Sequence, residues 1–358
     1  MRFIYVSITL IAVFLAGVLI SLFIGEERAV DYYRTYYTQL KTWLEGTSVL
    51  YDNDLGMYNP PWLMWILSPV IIVPYSLQVA IMRGLSVAIL AYATIVTTQK
   101  MGKDIKILAV IFSLINIFTV TLYFTGQIDA IPLLGLVIGL HFQNWVAKGI
   151  GYTLLALKPP NFWILGAFIF ILEVKNKGWL QAIKGLIIPF FTFLISFLIH
   201  GNWLERWYKN YTNSPPFDYP KTTFWRAMEA LQVPSLVALI IALLLFTMVV
   251  YTAFQVKNQN SWLLLLLVTT YTLTFYNLSY QLVVLMVFVL PSILAWRTRL
   301  GIAVYALSYF GLLRAAFIPL DDPYYALQLF WFDMLWVLVM FGMVVWQILE
   351  KKKLAVTR

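Results

Sequence analysis

The sequence predicts an all-α, polytopic transmembrane helix bundle, and two observations carry the prediction. Of 358 residues, 61% are hydrophobic and 11% charged, against about 25% charged in a soluble domain, which is too little polar surface to face water all round. The apolar residues also come in continuous runs near the length at which a helix rises about 30 Å, the thickness of a bilayer core. Barrel strands alternate instead, so the same runs argue against a β-barrel.

The first run, 3–24, is longer than the apolar region of a secretory signal, and no small-x-small cleavage site precedes Glu26, so it reads as a retained helix. Further runs cover 62–98, 107–124, 128–142, 150–172, 179–199, 234–254, 262–275, 282–296, 302–317 and 325–349, roughly eleven spans in one integral-membrane domain, 1–358. Pro69 and Pro74 interrupt the second run, which predicts a short re-entrant or interfacial helix and then one span from about Gln78. Pro159 and Pro160 make 150–172 a broken hairpin by the same reasoning.

The net charge of +9 is informative through its placement. Arg2, Lys100, Lys103, Lys106, Lys148, Lys175, Lys177, Lys257, Arg297, Arg299 and Lys351 to Lys353 occupy termini or short loops that can share one face, which is then cytoplasmic, with both chain ends on it. Twelve of the sixteen carboxylates, among them Glu26, Asp31, Asp52, Asp54, Asp129 and Asp321, fall on the other side. That side also receives two long segments, 25–61 and 201–233, rich in Tyr and Trp, as segments lying at headgroup level are. No internal repeat of the kind that marks many secondary transporters is visible. Cys is absent, which excludes disulfides and thiolate metal sites.

Three motifs stand on the acidic side: Asp31-Tyr32-Tyr33-Arg34-Thr35-Tyr36-Tyr37 directly after the first run, Gly126-Gln127-Ile128-Asp129, and Leu157-Lys158-Pro159-Pro160. In order and spacing they resemble the membrane-embedded glycosyltransferases of GT-C architecture, in particular the DUF2029-type polyprenyl-phosphate-mannose-dependent mannosyltransferases, over about residues 31–170. The resemblance implies an acidic residue opening the first extracytoplasmic loop, a lipid-linked mannosyl donor, a lipid or glycan acceptor, and a plasma-membrane location with the site facing outward. Family members often place a His in a late outside turn, where this chain has Tyr276-Asn277-Leu278-Ser279-Tyr280-Gln281.

The residues support the same chemistry on their own terms. Joining a sugar to an alcohol with inversion needs a carboxylate within hydrogen-bond reach of the acceptor hydroxyl. Asp31 is the candidate base, with helix capping as its alternative role. A lipid phosphate needs cations but no metal, and Arg83, Lys158, Arg34 and Arg314 are the candidates. Lys158 is prominent because it interrupts an apolar stretch, although a snorkelling lysine would also sit there; Arg83 could equally meet a lipid headgroup. Gln127, Asp129, Tyr280 and Gln281 are candidates for sugar or acceptor hydroxyls, while Gly126 is explained by a helix C-cap. Asp52-Asn53-Asp54 has the D-x-D form of a cation site and reads more simply as a turn. No cofactor, metal or nucleic-acid partner is expected. The rival classes are a transporter or flippase of a lipid-linked intermediate and a non-catalytic assembly subunit.

Overall fold

The structure, a computed structural model, describes residues 2–27, 29, 31–47, 49–51, 59–213, 223–255, 259–273, 279–309 and 325–356. Every regular element among them is helical. Four helical stretches are long and apolar enough to cross a membrane: Ile4–Ile24, Tyr75–Thr97, Trp179–His200 and Trp331–Glu350, with a fifth if the bent pair Lys103–Leu114 and Ile117–Thr125 is one span. Other expected spans form shorter apolar helices, such as Ala130–His141 and Val283–Trp296; at about 1.5 Å per residue these do not reach across a bilayer core by themselves.

The chain divides into two compact units. The first comprises Met1–Val96 and Val120–Asp218, the second Thr97–Thr119 and Tyr219–Arg358.

In the first unit, α1 (Arg2–Ile24) ends where Gly25 turns to a φ of 83° and its N–H returns to Ser21 O, a left-handed helix stop that only Gly takes without strain. A π-helical turn (Tyr32–Tyr37) then runs into α2 (Thr38–Leu44). The prolines act as expected. A short α3 (Trp62–Leu67) and a 3-10 turn (Ser68–Val70) precede α4 (Tyr75–Thr97), which starts directly after Pro74, three residues before the predicted point. Helices α1 and α4 meet backbone to backbone, since a Cβ on Gly84 would lie 2.8 Å from Phe14 O and one on Gly17 2.9 Å from Gly84 Cα. Small residues permit such approach.

The apolar run 107–124 is bent by 43° between α5 (Lys103–Leu114) and α6 (Ile117–Thr125). Asn116 makes the break: its Nδ2 donates to Phe112 O and Ser113 O while its Oδ1 accepts the Thr119 N–H as a cap. Then α7 (Ala130–His141) and α8 (Trp145–Leu155) form a tight hairpin in the first unit, followed by α9 (Pro159–Lys177), which begins with Pro in its first turn, as helices tolerate. Lys158 occupies the junction of α8 and α9, where the prolines predict a break. Next come α10 (Trp179–Gly185), α11 (Ile187–His200) and α12 (Trp203–Asn213). Outward-facing Ile4, Ile8, Ile11, Leu15 and Leu19 on α1 and Leu180, Phe190, Phe191 and Leu198 on α10 and α11 leave broad apolar surfaces, as lipid-facing helices do.

The second unit holds α5 together with α13 (Phe224–Ala230), α14 (Ser235–Gln255), α15 (Gln259–Leu273), a 3-10 turn (Ser279–Leu282), α16 (Val283–Trp296), α17 (Thr298–Leu307) and α18 (Tyr325–Val356). Its centre is α16, buried on almost every side and wholly apolar in its first turns. Polar clasps tie its neighbours, with Trp336 Nε1 donating to Val304 O at 2.9 Å and Arg297 pairing with Glu350 at 2.7 Å.

A Cβ at Gly151 would fall 2.9 Å from both Gly135 O and Gly139 N, backbone atoms that cannot swing aside. Gly151→Val should therefore separate α7 from α8 and destabilise the protein by about 1–3 kcal/mol. The check is the thermal unfolding transition in detergent, and an unchanged transition would refute the close contact.

Candidate functional site

Three segments distant in sequence converge in the first unit. Asp31 follows α1, Gln127 and Asp129 lie in the turn from α6 to α7, and Lys158 lies between α8 and α9. Gln127 Nε2 donates to Asp31 Oδ2 at 2.7 Å, Lys158 Nζ donates to Gln127 Oε1 at 3.0 Å and to Asp129 Oδ2 at 2.6 Å, and Tyr36 OH donates to Gln127 Oε1 at 3.1 Å. Asp31 is half-buried, whereas Gln127, Asp129 and Lys158 are 8%, 0% and 9% exposed.

Local backbone chemistry places each group. Gly126 stops α6 with a φ of 70° and lets Gln127 N–H return to Leu122 O at 3.2 Å, and a Cβ there would strike Tyr32 Cβ at 2.8 Å. The glycine is therefore more than a cap: it lets the tyrosine turn lie against the α6–α7 turn. The widened π turn carries Tyr32 and Tyr36 inward, 1% and 2% exposed, while Tyr33 stays 52% exposed; π turns often accompany functional sites. Burial pushes the Tyr32 and Tyr51 phenols up, so both stay neutral. Tyr32, Tyr36, Tyr51 and Trp203 belong to the buried core, so of the aromatics in 25–61 and 201–233 it is exposed ones such as Tyr33 and Tyr208 that are placed to meet headgroups.

Arg83 has its guanidinium taken up by groups of the protein itself. It is 1% exposed, and its guanidinium donates to Tyr123 O at 2.8 Å, Phe124 O at 3.0 Å, Gly25 O at 2.8 Å and Ser21 Oγ at 3.1 Å. The arginine thus ties the end of α1, just before Asp31, to the end of α6, just before Gln127. Asn59 supports the third segment: its Nδ2 donates to Leu157 O at 2.7 Å while Tyr51 OH donates to Asn59 O at 2.6 Å.

Electrostatically, the cluster sets two carboxylates against one ammonium. Lys158 is committed to Asp129 in a buried pair, and Asp129 Oδ1 is buried with no hydrogen-bond partner among the described residues. Such a pair costs desolvation that close contact offsets, and its cation is not available as an unpaired charge. Arg34, three residues after Asp31, is exposed. Gln281 is fully buried in the second unit, and Tyr280 lies in the same 3-10 turn. Arg314, Asp52-Asn53-Asp54, Asn277 and Asp321-Asp322 lie outside the described residues.

Sequence reasoning named Asp31, Gln127, Asp129 and Lys158, which the structure brings together, and missed Tyr36 and Asn59. Tyr36 is one of four tyrosines in a six-residue stretch, and only the π-helical phase shows which of them points inward. Asn59 was legible only as the residue before Pro60-Pro61.

Two substitutions test this construction. Arg83→Met removes the donors to Tyr123 O, Phe124 O, Gly25 O and Ser21 Oγ, and should lower stability by about 1–3 kcal/mol, the cost of a buried polar group that loses its partner, read from unfolding in detergent. Gly126→Ala, which strains φ and crowds Tyr32, should cost about 1–3 kcal/mol in the same measurement.

No protein-family model, curated protein or solved structure matches the chain.

Proposed function

We propose that the protein is an inverting, polyprenyl-phosphate-sugar-dependent glycosyltransferase, a GT-C-like bundle of roughly eleven spans whose site faces away from the cytoplasm. The observation that carries this reading is the half-buried Asp31 carboxylate, held through Oδ2 by Gln127 at 2.7 Å in a cluster that unites the three motifs of the family resemblance. Among the described residues Oδ1 accepts no hydrogen bond, which leaves it for an acceptor hydroxyl. The excess of Lys and Arg in the loops opposite supports the outward orientation.

The reaction is a single displacement. The acceptor O–H gives its proton to Asp31 as its oxygen bonds the anomeric carbon, while the bond from that carbon to the phosphate oxygen breaks and polyprenyl phosphate leaves with the electron pair. A β-linked donor gives an α-linked product. Mannose is the sugar the resemblance implies. With Lys158 paired to Asp129 and Arg83 bound to carbonyls, Arg34 is the first candidate for the phosphate, and Arg314 the second.

A transporter or flippase is the second reading, favoured by the buried Lys158–Asp129 pair, because ion pairs inside apolar segments also mark translocation pathways. Purified protein given polyprenyl-phosphate mannose and a host lipid extract separates the two. Wild type should transfer label, and Asp31→Asn should bind donor normally and lose about 10²–10⁴-fold in rate, the range of general-base catalysis. Full activity of Asp31→Asn would overturn the base assignment; label crossing liposomes without transfer would favour the flippase.

A further inference from the structure

We propose that Gln127 is a positioning residue, a neutral spacer that transmits the orientation of Lys158 to the base Asp31 while keeping the lysine charge off it. The inference rests on the reading of Asp31 as base and deepens it. An ammonium can only donate, so Lys158 Nζ, 3.0 Å away, requires the amide oxygen of Gln127 on its side, and the Tyr36 hydroxyl at 3.1 Å holds the same oxygen. The amide nitrogen must then face Asp31, where it stands 2.7 Å from Oδ2. A flipped amide would set two acceptors against each other at that distance and leave Lys158 without one of its partners.

Lys158 is itself fixed by Asp129 at 2.6 Å, and this contact offsets its charge. Had the lysine reached Asp31 directly, the carboxylate would be held in an ion pair and not left to meet an acceptor hydroxyl. The amide passes on direction and carries no charge. With Oε1 taken twice and Nε2 engaged by Asp31, and with 8% of the residue exposed, Gln127 has one amide hydrogen left for any substrate. A role through Asp31 therefore fits it better than the sugar contact expected from sequence.

The test is a split of kcat from KM in the transfer assay with the full-length protein in detergent. Gln127→Met keeps length and removes both hydrogen-bonding atoms; kcat should fall about 100-fold, the scale of a catalytic group displaced by about 1 Å, with KM for the donor within about twofold. Lys158→Met should fall similarly, and the double variant should be no worse than the poorer single, because both act along one chain of contacts. Tyr36→Phe, which removes one of two donors to Oε1, should lose only about 3–10-fold in kcat and serves if either methionine variant fails to fold.

A raised KM with kcat preserved would place Gln127 on the substrate and overturn the inference, as would unchanged kinetics or additive losses in the double variant. Failure of the underlying reading looks different: Asp31→Asn is then active, or wild type transfers no sugar.

Discussion

Carbonyls at the ends of two helices need donors, and one side chain serves both ends. At Gly25 the chain leaves α1, and at Tyr123 and Phe124 it approaches the end of α6; Arg83 reaches all three carbonyls from α4. Helix ends leave such groups unpaired by construction, and burial makes each costly. The consequence reaches beyond stability, because the residues just past these ends are the ones that carry Asp31 and Gln127. A guanidinium suits the task, since its donors diverge in one rigid plane.

Helix α7 has an ionic arrangement at each of its ends, and comparing them clarifies the candidate site. At the C-terminal end, Lys148 donates to Gly139 O at 2.6 Å and pairs with Glu173 at 2.9 Å, and Lys177 pairs with Glu173 at 2.8 Å. There two cations share one carboxylate beside a helix C-terminus, the arrangement that the helix dipole favours. At the N-terminal end, Asp129 stands before the first turn and pairs with Lys158, and Asp31 is a second carboxylate that bonds the Gln127 amide. The first cluster gathers both cations on one carboxylate and reads as a pin for α7, α8 and α9. In the second, among the described residues, Asp31 Oδ1 accepts no hydrogen bond.

Burial also sorts the tyrosines after Asp31 into two groups with different work. Tyr32 and Tyr36 are inside, reaching Gln78 and Gln127, while Tyr33 and Tyr37 stack on each other at 5.9 Å toward the surface. The same four residues thus build both the floor of the candidate site and an aromatic rim beside it. Residues four apart share a face of a helical turn, so Tyr32 goes with Tyr36 and Tyr33 with Tyr37.

The sequence by itself determined the helical, membrane-type character, the breaks at Pro74 and Pro159, the stop at Gly126, and the short roll of polar residues from which a site can be drawn. These follow from local chemistry: apolar run length, the missing N–H of proline and the conformational freedom of glycine. Only the tertiary structure decided which of those polar residues meet. That Lys158 pairs with Asp129 and meets Asp31 through Gln127, that Arg83 serves carbonyls, and that Tyr36 outranks its neighbours are facts about residues up to about a hundred positions apart. Such pairings depend on how helices pack and on where charge and hydrogen bonds can be satisfied together, which spacing along one chain does not encode.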